Sequence, residues 1–147
     1  MIEIKESKFE DCLLVSKNIR NIDIKEVKSA HGVEIQEALC TSFVRSTECY
    51  TVFKNNLQIC MFGVSSGGCV WLLGTNELKC CAKEFVILGK EYISKFLDRC
   101  NLLHNYVSID NKDSIKWLKL MGATFSDPIK YGMHQDLFLK FEIRGNV

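Results

Sequence analysis

The sequence predicts an α/β protein in which a mixed sheet is covered by helices, and two observations support this fold class. Apolar residues recur every three or four positions in five segments, which is the spacing of amphipathic helices. The other apolar residues form short alternating or continuous runs, which are typical of strands. In chain order the segments are a strand, three helices, a run of antiparallel strands, and two strand–helix–strand crossovers. Such an order favours a mixed sheet with helices packed against it.

The N-terminal part of the chain predicts one strand and three helices. The alternation in MIEIKE indicates a short strand. Ser7 and Glu10 have the S-x-x-E spacing of a capping box before FEDCLLVSKNI, which predicts a helix over that segment. A second, shorter helix is expected to be capped at Asp23 and ended by Gly32. A third helix is expected over residues 33–46.

The middle of the chain predicts a hairpin, a central strand and a long helix. Residues 49–53 and 57–64 are two apolar runs separated by KNN, which is a good turn sequence. The next run, CVWLLGT, is apolar enough to lie in the middle of a sheet. Apolar residues then form one helical stripe over residues 76–100, and Thr75 is the expected N-cap of that helix.

The C-terminal part of the chain supplies the two crossovers. LLHNYVSI indicates a strand, and DNKDSIKWLKLMG indicates a short helix that Gly122 ends. ATF begins another extended segment. SDPIKYG is expected to be a loop around Pro128, and DLFLKFEI is the last strand.

Length and composition limit the possible functions. The chain has 147 residues, so we expect one domain over residues 1–147. The net charge of +1 favours neither nucleic acid nor an anionic membrane as the main partner. No apolar run approaches the roughly 20 residues that cross a bilayer. The charged start, MIEIKESKFEDC, lacks a signal-peptide core, so we expect the protein where it is made or in an assembly packaged from there.

Eight cysteines are present, and they are predicted to be reduced thiols that are mostly buried. No C-x-x-C pair occurs. The three histidines, His31, His104 and His134, lie far from any cysteine pair at zinc spacing. The sequence therefore predicts no metal site.

One late segment, VSIDNKDSIKWLKLMGATF, resembles the GNAT fold of the acyl-CoA N-acyltransferase superfamily. Asn111, Ser114 and Gly122 match residues of the family pattern. Leu118 stands at the family's Tyr position, and Ala123 stands where a Phe follows the Gly. The resemblance implies a mixed, mostly antiparallel sheet flanked by helices on both faces.

Four segments, MFGVSS, WLLGTNEL, LLHNYVSIDNKDSIKWLKLMGATF and PIKYG, carry a closer resemblance. They look like a family of small GNAT-like proteins encoded by short-tailed, coliphage-type bacteriophages and prophages. That family includes an internal virion protein connected with virion assembly. The resemblance implies other phage virion proteins or host proteins as partners, and the host cytoplasm or the virion as location.

The coenzyme motif of the superfamily is degenerate in this sequence. Working acetyltransferases of this fold hold the coenzyme A pyrophosphate on backbone N–H groups, in a Q/R-x-x-G-x-G/A segment between strand and helix. The matching segment here, GTNELKCCAKEF, has neither the leading Gln or Arg nor the two loop glycines. Side chains at residues 76–81 would crowd the phosphates. Lys79 and Lys83 could supply positive charge or could form the solvated face of the helix.

No cofactor is predicted unless the protein is an enzyme, and the cofactor would then be acetyl-CoA. In that case the resemblance implies that the backbone of Leu72, Leu73 and Gly74 holds the pantetheine arm. Asn111 would flank the arm.

The sequence offers two candidate catalytic bases, His104 and Glu77. His104 lies on the strand before the Asn111 helix, where a histidine is more often a hydrogen-bonded structural residue. Glu77 lies at the strand–helix corner, where the helix dipole already favours a carboxylate. Leu118 cannot donate a proton to the leaving thiolate, and such assistance is typically worth about two to four decades of rate.

Three functional hypotheses follow. The leading one is a bacteriophage-type GNAT-fold protein that acts through protein contacts as a minor virion or assembly-associated component. The alternative is an active acetyl-CoA-dependent N-acetyltransferase that modifies a protein or a small amine. The third is an adaptor that binds a host defence protein with its sheet face.

Overall fold

Eight strands and five α-helices make up the part of the chain that the structure, a computed structural model, describes, which is residues 1–145. A 3₁₀ helix precedes the fourth α-helix. None of these helices is long and apolar enough to cross a membrane. In chain order the elements are β1 (Ile2–Glu6), α1 (Phe9–Ser16), α2 (Asn21–His31), α3 (Ile35–Arg45), β2 (Glu48–Lys54), β3 (Leu57–Val64), β4 (Val70–Gly74), the 3₁₀ helix (Asn76–Cys81), α4 (Ala82–Arg99), β5 (Leu102–Ser108), α5 (Lys112–Leu120), β6 (Thr124–Phe125), β7 (Ile129–Tyr131) and β8 (Asp136–Arg144).

The strands form two antiparallel groups that meet at β4 and β5. The first group has the order β1-β2-β3-β4. In the second group β8 pairs with β5 on one edge and with the short strands β6 and β7 on the other. One parallel bridge, Cys69 to His104, joins the two groups. The predicted mixed and mostly antiparallel sheet is therefore confirmed.

Helices cover both faces of the sheet. Neighbouring residues of β3 point to opposite faces, as side chains of a strand do. Met61 belongs to the apolar cluster that also contains residues of α1, α2 and α3. Phe62 belongs to the larger cluster that contains residues of α4 and α5, among them Phe85, Phe96 and Leu118. The prediction of helices on both faces is confirmed.

Three sequence signals, one for a turn and two for helix ends, are confirmed. Asn55 and Asn56 both have positive φ, at 50° and 63°, which is the geometry of a type I′ turn between β2 and β3. Gly32 caps α2 in the left-handed region, at φ 69°. Gly122 follows α5 at φ 90°.

Neither Ser7 nor Thr75 caps a helix with its side chain. The first helix begins at Phe9, and its backbone cap comes from Asp11, whose carboxylate accepts a hydrogen bond from the Lys8 amide at 2.9 Å. Ser7 is unavailable as a cap because its hydroxyl bonds to that of Thr51 at 2.7 Å, at the end of β1. Thr75 stands at the predicted N-cap position, before Asn76, but its hydroxyl donates to the Ile59 carbonyl at 2.9 Å instead of capping the helix.

The remaining corrections concern the long helix, the proline loop and Asp23. Residues 76–81 form the 3₁₀ helix, so the α-helix that follows β4 begins only at Ala82. The loop predicted around Pro128 contains the short strand β7, which is ordered by pairing with β8. Asp23 does not cap α2, which begins two residues earlier, at Asn21.

Candidate functional site

Strands β4 and β5 separate after a short region of contact. At their start, the His104 amide donates to the Gly68 carbonyl at 2.9 Å, and the Asn105 side chain donates to the Val70 carbonyl at 2.6 Å. Beyond that point, within residues 1–145, β4 pairs with β3 and β5 pairs with β8. We call the gap that results the β4–β5 cleft. It is bordered by residues 72–74 on one side and by residues 108–111 on the other.

The start of α2 bonds to the β4 side of the cleft. The Gly74 amide donates to the Asp23 carboxylate at 3.0 Å, and the Gly74 carbonyl accepts from the Arg20 amide at 2.9 Å. The Arg20 guanidinium holds the same carboxylate with two nitrogens, Nε to Oδ2 at 3.0 Å and Nη2 to Oδ1 at 2.8 Å. Asp23 and Arg20 are both buried, so this ion pair is shielded from water. Both polar groups of the Gly74 main chain therefore have partners within the chain.

One turn later, α2 bonds to the β5 side of the cleft through Glu26. Glu26 Oε2 accepts hydrogen bonds from the Ser108 amide at 3.1 Å and from Asn111 Nδ2 at 3.0 Å. The Asn111 side chain also caps α5, since its Oδ1 accepts from the Ser114 amide at 3.4 Å. We call the set Arg20, Asp23 and Glu26, with its partners Gly74, Ser108 and Asn111, the α2 joint. It ties one helix to both strands that border the cleft.

Burial controls the protonation of the two acids in the α2 joint. Burial raises the pKa of Asp23, and the Arg20 guanidinium opposes that shift. Burial also raises the pKa of Glu26, from its ordinary value of 4.5 to about 7, against the opposing effect of the hydrogen bonds from Asn111 and Ser108.

The C-terminal end of α2 is fixed by the hairpin of β7 and β8. The Met133 amide donates to the Ala30 carbonyl at 3.0 Å, and the Ser29 hydroxyl donates to the Asp136 carboxylate at 2.6 Å. Gly132 allows this approach, because a Cβ at that position would lie 2.5 Å from the Ala30 Cα. The helix is thus held at both ends and at the middle.

The strand–helix corner after β4 is closed by its own residues. The Leu78 side chain lies directly over Gly74, where a Cβ would collide with it. The Leu78 amide donates to the Thr75 carbonyl at 3.2 Å within the 3₁₀ helix. Lys79 and Lys83 are exposed beside the first turn of α4, along a shallow open depression, and Lys79 is 3.9 Å from the Asp113 carboxylate.

Acetyl-CoA does not fit the cleft as these residues form it. A pantetheine arm and a thioester would need free backbone groups along β4, but the Gly74 amide already donates to a carboxylate. A hydrogen bond to a charged acceptor is roughly twice as strong as one to a neutral acceptor, so a thioester carbonyl is a poor competitor. The corner also lacks the small residues that would admit a pyrophosphate, and Leu78 occupies the space above Gly74.

The structure brings together the residues named for the coenzyme site. Leu72, Leu73 and Gly74 form the end of β4, and Asn111 is buried across the cleft from them. Their role toward a coenzyme stays a prediction.

The two candidate bases, His104 and Glu77, bond to residues outside the α2 joint. His104 is opposite Cys69 at the start of β4, so five residues separate that bridge from Gly74, or about 16 Å at ~3.3 Å per residue. Its Nε2 lies 3.0 Å from the Gly67 carbonyl. Glu77 is exposed in the 3₁₀ helix, and its carboxylate is 3.5 Å from Lys54 Nζ. The structure does not place either group with the other or with Asn111.

Sequence reasoning missed the contacts that Arg20, just before α2, and Asp23 and Glu26, on α2, make at the cleft. One signal could have found them. Asp23 and Glu26 share a helical face with the apolar residues Val27 and Ala30, at spacings of three and four. Acids on the apolar face of a helix indicate buried partners.

The cysteines offer no group of metal ligands and no disulfide within residues 1–145. Burial raises the pKa of Cys12 to about 12, and it also raises the pKa of Cys60 and Cys81. Thiols held in the neutral form are poor nucleophiles. Cys80 is the exposed member of the set.

Comparison with known sequences points to one phage family. A family model described as "Bacteriophage T7, probable scaffold protein Gp13" matches residues 48–129, which is more than half of the chain. The chain belongs to this family. A member from Escherichia phage T7, "Probable scaffold protein gp13", is 30% identical over 108 residues, which cover 71% of this chain and 73% of that protein. The phage resemblance predicted from the sequence is thereby confirmed.

Comparison with solved structures shows the GNAT acetyltransferase fold in this member of the phage family. Ard1 from Thermoplasma volcanium superposes with a TM-score of 0.76 at 14% identity, covering 99% of both chains. Spermidine N-acetyltransferase from Vibrio cholerae, in complex with CoA and spermine, gives 0.70 at 10% identity over 97% of this chain and 95% of that one. Aminoglycoside acetyltransferase AAC(6')-Ib in complex with coenzyme A gives 0.66 at 11% identity, over 98% and 95%.

Proposed function

We propose that this protein takes part in the assembly of phage particles, as a minor or internal component that binds other phage proteins in the host cytoplasm or the virion. Support comes from the family, since both its description and its phage T7 member carry the words "probable scaffold protein". In this proposal the GNAT fold serves as a rigid body for protein contacts.

The observation that carries the proposal is the bond between Asp23 and Gly74. In this chain the main chain at the end of β4 is bonded to α2. An acyl-CoA arm could take that place only by displacing a carboxylate that is itself paired with Arg20. Breaking a buried pair of this kind is unfavourable by several kcal/mol. The fold is therefore better suited to contacts on its surface than to coenzyme chemistry in its cleft.

The first experiment measures thermal unfolding with and without 1 mM acetyl-CoA. A ligand at one hundred times its Kd stabilises a folded protein by about 2.7 kcal/mol, which shifts the Tm of a chain this size by about 5–10 °C. We expect no shift for this protein. A spermidine N-acetyltransferase treated in the same way is the positive control, and a shift comparable to that control would contradict the proposal.

The second experiment asks whether the protein is part of a phage particle. Particles and assembly intermediates from infected cells are separated on a density gradient and analysed by mass spectrometry. We expect the chain to sediment with one of these species, while an abundant host cytosolic protein stays at the top. Recovery only at the top of the gradient would contradict the assembly role and would favour the adaptor hypothesis.

The acetyltransferase alternative makes the opposite prediction in the first experiment. Acetyl-CoA would then bind along Leu72, Leu73 and Gly74, with Asn111 beside it, after α2 had moved. In that case the Gly74 amide would change its hydrogen-bond acceptor on binding, and its NMR shift would report the exchange.

A further inference from the structure

The α2 joint contains more acid than base. Asp23 and Glu26 are three residues apart on α2, so both project from the same face of the helix into the β4–β5 cleft. The Arg20 guanidinium is bonded to Asp23 through two of its three nitrogens, Nε and Nη2. The bonds to Glu26 come from neutral groups, the Ser108 amide and the Asn111 side chain. If both acids are ionised, the joint carries an excess charge of −1, shared between the buried Asp23 and the half-buried Glu26.

The elements around Glu26 supply no nearby base that would balance this charge. On the side of β5 and α5, Asp110 and Lys112 flank Asn111 and are both exposed. On α2 itself, Lys25 and Lys28 are also exposed. On the hairpin of β7 and β8, Asp136 bonds to Ser29 at the far end of the helix. Within the described part of the chain, the charged groups that act on Glu26 are those of the joint itself.

We propose that the α2 joint binds one proton in the native state, on the Glu26 carboxyl, and that the joint is more stable with this proton than without it. A protonated carboxyl still has oxygen lone pairs for the Ser108 and Asn111 donors, and it removes the uncompensated charge from a half-buried site. The direction of the pKa shift of Glu26, raised by burial, agrees with this assignment.

The sign of the pH dependence follows from the two pKa values. Glu26 titrates near its ordinary value of 4.5 in the unfolded chain and near 7 in the folded chain. Between those values the folded chain holds a proton that the unfolded chain has released, so stability falls as the pH rises. The contribution of Glu26 is fully present below about pH 4.5 and is lost once the pH passes about 7.

A direct test is carboxyl NMR of the full chain labelled with ¹³C at the glutamate carboxyl carbon. We expect one glutamate resonance with a titration midpoint near pH 7, and we expect Glu26→Gln to remove it. If every glutamate titrates below pH 5.5, or if the neutral-range resonance persists in E26Q, the proposal is overturned. The titration of the wild-type chain decides the first point even if the variant folds poorly.

A second test compares the Tm of wild type and E26Q from pH 5.5 to 8.5. Gln copies the neutral carboxyl and does not titrate. We therefore expect the Tm of E26Q to rise relative to that of the wild type as the pH rises, by on the order of 5 °C across the range. Glu34→Gln is the matched control, because Lys28 holds the pKa of the exposed Glu34 below its ordinary value and outside this range. Parallel curves for wild type and E26Q would overturn the proposal.

Discussion

The carboxylate of Asp23 accepts a hydrogen bond from the backbone amide of Gly74 at 3.0 Å, across 51 residues of sequence. This bond joins the second helix of the chain to the last residue of β4. In sequence comparisons the chain belongs to the family described as "Bacteriophage T7, probable scaffold protein Gp13", and in structural comparisons it has the fold of acetyltransferases. The bond engages the Gly74 amide, at the end of β4, in the internal structure of the chain.

Removing the Asp23 side chain should destabilise the protein strongly. Asp23→Ala takes away the acceptor of the Gly74 amide and leaves the buried Arg20 guanidinium without a partner, for which the expected loss is about 3–5 kcal/mol. Asp23→Asn keeps an oxygen for the amide, so its loss should be smaller. Urea unfolding at pH 7 measures both. An unchanged midpoint for D23A would show that this bond contributes nothing to stability.

Substituting Gly132 should loosen the hairpin from α2. The residue has φ 78°, and an added Cβ would lie 2.5 Å from the Ala30 Cα, so Gly132→Ala should lower stability by at least about 2 kcal/mol. Gly67→Ala is the control, since a Cβ at that position would meet no atom within 4 Å. Thermal unfolding compares the two variants. Equal Tm values for G132A and G67A would contradict the close contact described here.

A third acid in the α2 joint should make stability fall with rising pH. Asn111→Asp can still cap α5, but it removes the donor to Glu26 and adds a negative charge beside two acids. The new carboxyl should have a raised pKa, so it becomes protonated as the pH falls. The decrease in the free energy of unfolding, about 2 kcal/mol at pH 8, should therefore become smaller as the pH falls toward 5. Asn101→Asp, at an exposed position, is the control. A loss in N111D that does not change with pH would point to packing as its cause.

The eight thiols should react in a fixed order. Cys80 is exposed, whereas Cys12, Cys60 and Cys81 are buried with raised pKa values. We expect Ellman's reagent to modify Cys80 first in the native protein, and the buried three only after unfolding. Cys80→Ser should therefore remove the fastest phase. A fast phase of unchanged amplitude in C80S would mean that another thiol is more accessible than its position in the fold allows.

Local sequence signals predicted those parts of the fold that local forces determine. The type I′ turn at Asn55 and Asn56 follows from the tolerance of asparagine for positive φ. The end of α2 at Gly32 follows from the same freedom in glycine. The structure buries Asn111 at the start of α5, which its side chain caps, and its role beside a coenzyme stays a prediction.

Other features could not be predicted because they depend on contacts between distant residues. The strand β7 has three residues and exists only as a partner of β8. The 3₁₀ segment at residues 76–81 reads as the first turns of a longer helix, since its apolar spacing is also helical. The roles of Asp23 and Glu26 require knowledge of the strands they meet, 51 and 82 residues further along the chain.

The α2 joint also bears on how this protein accumulates. Its hydrogen bonds join atoms of the chain to one another, so they can form as soon as the chain folds. A protein whose native state depends on a bound metabolite becomes less stable as that metabolite is depleted. The stability that the hydrogen bonds of the joint contribute is set by the chain itself and does not vary with the supply of a metabolite.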